Sequence, residues 1–288
     1  MYKIAHISDL HISFSDEDEN GKKLVDLLLD IKEKKCDHTI ITGDLVENPN
    51  PGDLQYVREI LAKFDLLDSS KLSIVPGNHD IFGGAYKGFG TILFPLRCRD
   101  TDYEKNLDEF IDIFKETFPG NNSYPYLKIN GNTALIAVNS VQHWSLKDNP
   151  EGSNGYIDDG DYEKLKNLFS SEDLKDKIKI VLLHHHVHVP ELNEKYPAHS
   201  LWLKTIDWKM KMHKRKTFLS FIRKHKVKLL LHGHTHVNEI SMDGKITVVN
   251  SSAASIPLTD DRKRMYNIIS IPGIDEESVP VKIETVYL

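Results

Sequence analysis

The sequence predicts an α/β fold with a parallel sheet near its centre, on three observations. In the first 80 residues, short apolar runs alternate with stretches of helical periodicity, in the order strand, helix, strand, helix, strand. These runs are apolar throughout, as strands buried on both faces are, and such alternation builds parallel pairs with right-handed crossovers. Late in the chain come β-rich runs and a hairpin signal at Asp243 and Gly244, which predict antiparallel strands completing a second sheet.

The first strand is Tyr2 to Ile7, and polar residues follow at once. If the chain stays extended, Asp9 and His11, two apart, point to the same side. A helix over Lys22 to Lys35 turns Leu24, Leu27, Leu28 and Ile31 inward. The second strand, His38 to Thr42, gives way to Gly43 and Asp44, and Asp53 to Asp65 reads as a helix burying Leu54, Val57, Ile60, Leu61 and Phe64. The third strand begins at Leu72 and is stopped by Pro76 and Gly77, leaving Asn78, His79 and Asp80 at its tip. Residues 81–100 read as an irregular loop, whose glycines lack the spacing of a nucleotide fingerprint.

A helix over Tyr103 to Phe118 precedes a hairpin, Tyr124 to Ile129 with Ala134 to Val138, which ends in Asn139 and Ser140. Asp158 to Phe169 is helical. Lys179 to Leu183 is a buried strand running straight into His184, His185, His186, Val187 and His188. From there to Met212 no regular element is legible, and a long loop in a compact domain predicts a lid over residues 187–212. A helix over Lys211 to His225 leads to the strand Val227 to Leu231 and then to His232, Gly233, His234, Thr235 and His236. His234 and His236 repeat the spacing of Asp9 and His11.

Composition narrows the chemistry. The net charge of −6 does not fit a dedicated nucleic-acid binder, and 40% hydrophobic content without an apolar run near 18 residues excludes a helical membrane span. The N-terminus turns polar too early for a signal peptide, so the chain reads as cytoplasmic. Two cysteines, Cys36 and Cys98, cannot build a disulfide framework or a thiolate zinc site. Metal chemistry must therefore use His, Asp and Asn, and many of the 15 histidines crowd into 184–188 and 232–236. In open α/β sheets ligands gather beyond the carboxyl ends of the strands, where these polar tips lie.

Five apolar runs thus end in Asp9 and His11, in Asp44, in Asn78, in His184 with its neighbours, and in His234 with His236. Singly, each reads as an ordinary turn or a hydrogen-bonded histidine. Together and in order, DLH at 9–11, GD at 43–44, GNHD at 77–80, HHH at 184–186 and GHTH at 233–236 resemble the calcineurin-like metallophosphoesterases. The resemblance implies two packed mixed β-sheets flanked by helices, one domain over residues 1–288, and a centre of two transition-metal ions. Asp44 would bridge ions roughly 3.5–4 Å apart, its two oxygens shared between them. Asp9, His11 and His236 would complete one ion, and Asn78, His184 and His234 the other. His184 is the choice by comparison with relatives, His185 and His186 remaining alternatives. Imidazole with carboxylate favours Mn, Fe or Zn.

The implied reaction is in-line attack on phosphorus by hydroxide generated at the metals, with His79 assisting the leaving group. With two divalent ions, two carboxylates and one hydroxide, the centre keeps a charge of roughly +1, attractive to a phosphate. Glu47 stands where many relatives have Asp, and is left out of the catalytic set. The expected substrate is a small phosphodiester such as a cyclic nucleotide or glycerophosphodiester, or a phosphomonoester. A nuclease is the alternative, drawn from the basic segment Lys204 to Lys228, and a non-catalytic scaffold is the third reading. Oligomeric state is left open.

Overall fold

The computed structural model describes residues 1–14, 19–84, 89–120, 122–188, 210–251, 264–273 and 280–288. Two mixed sheets pack face to face. The first has the order β11-β10-β1-β2-β3. Here β1 (Tyr2–Ile7), β2 (His38–Thr42) and β3 (Leu72–Val75) are parallel, while β10 (Met265–Ile271) is antiparallel to β1 and β11 (Lys282–Tyr287) to β10. The second has the order β4-β5-β6-β7-β9-β8. Its parallel centre is β5 (Thr133–Ala137), β6 (Ile178–Leu182), β7 (Leu229–His232) and β9 (Ile246–Asn250), edged by antiparallel β4 (Tyr126–Asn130) and β8 (Glu239–Asp243).

Alternation along each strand divides the core. Ile4, Ile40, Val75, Leu135, Ile180, Leu182, Leu229 and Leu231 meet between the sheets. Their neighbours face outward: Ala5, Ile41 and Ile74 pack on α1 (Glu19–Glu33), α2 (Pro51–Lys63) and α5 (Tyr103–Ile113). On the other side Ala134, Val181 and Leu230 pack on α6 (Asp159–Phe169) and α7 (Arg215–Lys224). A helix layer therefore covers each sheet, as the resemblance implied.

The edge of β3 is closed by side chains of β4 and of Tyr124 just before it. Tyr124 and Tyr126 hydroxyls donate to the Ile74 carbonyl at 2.9 and 3.1 Å, the Ile74 amide donates back to Tyr126 at 3.2 Å, and the Lys128 ammonium caps the Leu72 carbonyl. Unpaired edge groups are satisfied without another strand.

Three expectations change, and a fourth falls outside the described residues. Residues 81–100 are not irregular throughout: after the helical turn α3 (Asn78–Ile81), α4 runs from Phe89 to Asp100, burying Phe94 and Cys98 one turn apart against Ile81 and Tyr103. Pro95 and the flanking glycines hid it. The helix begun at Tyr103 ends at Ile113, and Lys115–Thr117 tighten into a 3-10 turn. The late strands are shared between sheets: β10 and β11 extend the first, and β9 joins the second parallel to β7. Residues 189–209 of the expected lid lie outside the described residues. Among the described residues no helix is long and apolar enough to cross a membrane.

Candidate metal centre

β1, β2, β3, β6 and β7 deliver their C-terminal ends to one place. The segment after β1 runs beside the segment after β2: Leu10 and His11 amides both donate to the Asp44 carbonyl, at 2.8 and 3.0 Å, and Ile12 bridges Val46. Asp9 and His11 do not lie on extended chain as expected. Their φ angles are 55° and 46°, and Asp44, His234 and His236 are also left-handed, at 52°, 77° and 54°. Two glycines make room for one of these positions, Asp44. Gly43 has φ 91°, and a β-carbon there would stand 2.7 Å from the Gly77 nitrogen; one on Gly77 would overlap Asp44 Oδ1.

The side chains form two groups that meet at Asp44. In the first are Asp9, His11, Asp44 and His236, and in the second Asp44, His184 and His234. His11 Nε2 is 3.0 Å from His236 Nε2, and His236 Nε2 is 3.4 Å from Asp9 Oδ1. In the second, His184 Nε2 is 2.9 Å from His234 Nδ1 and 3.1 Å from Asn78 Oδ1. Asp44 Oδ1 accepts the His79 amide at 2.9 Å, while Oδ2 lies 3.3 Å from His184 Nε2 and 3.8 Å from His11 Nε2. One oxygen, not two, thus faces both groups.

Hydrogen bonds fix which ring nitrogens carry lone pairs. His184 Nδ1 donates to the Thr42 carbonyl at 2.7 Å, and His11 Nδ1 donates to Glu47 Oε2 at 3.1 Å. A carbonyl or carboxylate only accepts, so in the neutral rings both Nε2 atoms present lone pairs to the centre. This backing of a ring nitrogen by an oxygen is how metal-binding histidines are held. The spacing also fits cations. Nitrogens about 2.0–2.1 Å from one ion stand about 2.9 Å apart in adjacent octahedral positions and about 3.4 Å apart in tetrahedral ones. His184 with His234, and His11 with His236, match the octahedral edge.

Of the histidine run, only His184 faces Asp44. His185 is turned to the Ser140 hydroxyl at 2.9 Å, and both nitrogens of buried His186 lack a partner among the described residues, its ring stacked 5.7 Å from that of His234. Ser140, recognised in the sequence only as a polar strand tip, accepts the amides of His184 and His185, each at 3.2 Å. Two more residues emerge from tertiary structure. Asp80 accepts the amides of Leu45, Val46 and Gly77 at 2.8, 3.1 and 2.8 Å, tying the β2 and β3 tips together. Glu47 also approaches His79, whose Nδ1 lies 3.6 Å from Oε2 and donates to the Glu47 carbonyl at 3.1 Å.

Burial works against charge here. It raises the Asp44 carboxyl, but His184, His79 and His11 outweigh it and hold it well below the usual range. Burial lowers the His79 imidazole against the pull of Asp44. Burial and the Asp44 charge push Asp80 up to about 7 despite its amide donors. Exposure falls on one side of the described centre: His79 and His236 side chains are 22% and 24% exposed and Glu47 40%, against 2% for Asp44 and 0% for His184 and Asp9.

The sequence model of the calcineurin-like phosphoesterase family matches residues 2–238. The chain belongs to this family. Its reaction class is hydrolysis of phosphate esters, and a two-ion centre is what the family pattern and the two side-chain groups have in common. No curated protein sequence matches the chain. In fold it is similar to a dimetal phosphatase from Danio rerio, with TM-score 0.60 and 13% identity over 93% of this chain and 92% of the other. It is also similar to a purple acid phosphatase from seeds of yellow lupin, Lupinus luteus, with TM-score 0.55 and 12% identity over 93% of this chain and 49% of the other. These phosphoesterases share the architecture of two helix-flanked mixed sheets.

Proposed function

We propose that this phosphoesterase hydrolyses small phosphodiesters, of the cyclic-nucleotide or glycerophosphodiester kind, at a centre of two transition-metal ions, Mn, Fe or Zn. Asp9, His11 and His236 would hold one ion, Asn78, His184 and His234 the other, and Asp44 both. The observation that carries this reading is the position of Asp44 Oδ2, facing imidazole nitrogens of both groups. When bound, such ions polarise phosphoryl oxygens and lower the pKa of water.

The chain's own residues do the rest. His184 and His11 keep their lone pairs inward because Thr42 and Glu47 hold the opposite nitrogens. His79, ligand to neither ion in this scheme, stands at the open side with His236, where a phosphate ester would enter. Its Nδ1 proton is held by the Glu47 carbonyl, which leaves Nε2 for the leaving-group oxygen. Cys36 and Cys98 are free thiols, in keeping with a cytoplasmic setting.

The nuclease alternative stands on Arg215, Lys216 and Arg223, which line a cavity beside Val187 and His188, and is opposed by the dispersal of the other cations. Lys204 and Lys209 lie outside the described residues, and the rest of the basic segment is divided. Lys214 bonds Tyr156 at 2.9 Å, Arg223 pairs with Asp243, and Lys226 and Lys228 line a cavity at the other end of the sheets.

The test is a metal-reconstituted assay across an aryl phosphomonoester, an aryl phosphodiester, cyclic nucleotides and single-stranded DNA. Small diesters turning over fastest is the expected result, and a preference for DNA or monoesters overturns the substrate assignment. In the same assay His79→Ala retains metal but loses about 10²- to 10⁴-fold on alkyl esters, whose leaving group needs a proton, and less on aryl esters. Equal loss on both removes His79 from leaving-group assistance.

A further inference from the structure

At the end of the molecule opposite the metal centre is a cavity of about 780 Å³. It opens where β6, β7 and β9 begin, and the length of β6 separates Lys179 from His184, on the order of 16 Å at a rise of ~3.3 Å per residue. Ile178, Leu229, Val281 and Ile283 line it at the margin of the inter-sheet core. Lys175, Lys177, Lys179, Lys226, Lys228 and Lys245 line it as well, with Asp176 the one acidic residue among the described lining residues. In a chain with 43 acidic and 37 basic residues, that is a local reversal of sign.

Among the described residues little of this charge is answered. Lys177 donates to the Gly131 carbonyl at 2.6 Å and Lys175 lies 3.9 Å from Glu172. Among the described residues no carboxylate pairs with Lys179, Lys226, Lys228 or Lys245. Burial, with the Lys226 charge beside it, holds the Lys179 ammonium below its usual range. A cavity with low-dielectric walls and one sign of charge concentrates counter-ions. Its volume lies within the ~300–1,000 Å³ of small-molecule sites. Lysines serve as point-charge partners for phosphate, and the apolar strand starts offer a surface that a simple inorganic anion would leave bare.

We propose that this cavity is a second ligand site, remote from the metal centre, for an organic polyphosphate of nucleotide size. Its phosphates rest on the lysine rim and its apolar or aromatic body lies against Ile178, Leu229, Val281 and Ile283. The site stands independently of the substrate reading above.

The probe is a fluorescent, non-hydrolysable analogue of adenosine triphosphate, titrated into the full metal-loaded chain and followed by anisotropy. Binding is expected to weaken at least about tenfold in Lys226→Gln/Lys228→Gln/Lys245→Gln, whose substituted side chains are exposed, while aryl phosphate hydrolysis by that variant is unchanged. Binding is expected to survive Asp44→Asn, which removes occupancy of the metal centre as its explanation. No binding by about 1 mM, equal affinity in the triple variant, or loss in Asp44→Asn overturns the site. Tripolyphosphate competing as well as the unlabelled nucleotide analogue overturns the part of the proposal that assigns an apolar body.

Discussion

Ser140→Ala isolates how one half of the centre is held. The Ser140 oxygen accepts the His184 and His185 amides at 3.2 Å each, and its proton goes to His185 Nδ1 at 2.9 Å. All three residues are fully buried, so no solvent replaces the lost acceptor. Leaving a buried donor unsatisfied costs about 1–3 kcal/mol, and two amides sharing one oxygen put the loss at about 2–4 kcal/mol. Part of that is freedom gained by the chain at His184, which would loosen the ion proposed for His184, His234 and Asn78 by about 10- to 100-fold. The assay is a metal titration against a chromophoric chelator in two backgrounds. With His236→Ala, which disables the other group, Ser140→Ala weakens the remaining ion; with His234→Ala it changes little. A fall in stability with unaltered metal affinity in both backgrounds would refute the reasoning, since the hydroxyl would then brace only the fold.

Glu47→Ala frees the Nδ1 sides of His11 and loses the nearby carboxylate of His79, so it lowers turnover about 10- to 100-fold and weakens the ion on the His11 side more than the one on the His184 side, read by the same titration. Lys128 is buried, and burial lowers its ammonium to about 7 from 10.5. The unfolded chain therefore binds more protons than the native one between those values, stability rises with pH there, and from pH 7 to 9 the gain is about 2 kcal/mol. Denaturant midpoints should climb over that range in the parent, and Lys128→Met should abolish this contribution; parallel profiles would disprove it. Chelation should lower the melting temperature by on the order of 5–10 °C, reversibly on adding Mn²⁺, if the ions stand near 100 times their dissociation constants. An unchanged melt would show that the centre does not hold cations strongly.

Much of the centre was legible because each apolar run stops at a polar tip, and strand ends are where a parallel sheet leaves side chains free to converge. The identity of the facing histidine was not. His184 is distinguished from His185 and His186 by the Thr42 carbonyl, 142 residues away, and by Ser140, 44 away. Helix α4 gave no period, since Gly90 and Pro95 are poor helix formers and only Phe94 and Cys98 mark its buried face. The destination of β10 and β11 was hidden for a related reason: periodicity says that a strand has a buried face and says nothing of which sheet receives it. Glu47 could be read as a departure from the family pattern, but its two partners, His11 and His79, are known only once three strand tips meet.

Five of the seven residues assigned here as ligands have left-handed backbone, and none of them is glycine. Asp and His tolerate that region better than most residues, yet at about 1 kcal/mol or more apiece the strain approaches 5 kcal/mol, comparable with the whole stability of an ordinary domain. Hydrogen bonds hold part of this shape, with the Leu10 and His11 amides on the Asp44 carbonyl and the His234 amide on the Asp9 carboxylate. With His184 and His11 neutral, their Nδ1 protons turn outward to Thr42 and Glu47, and their Nε2 lone pairs meet the Asp44 carboxylate and, at His184, the Asn78 amide oxygen. A polar cluster built for its own stability would alternate donors with acceptors. With those rings neutral, acceptors face acceptors across about 3 Å, and positive charge relieves this, either a cation between them or a proton on His184, whose imidazole, against burial, the Asp44 carboxylate raises to about 9. Left-handed backbone and facing acceptors thus meet at the same β-strand tips, where the two candidate ligand groups converge on Asp44.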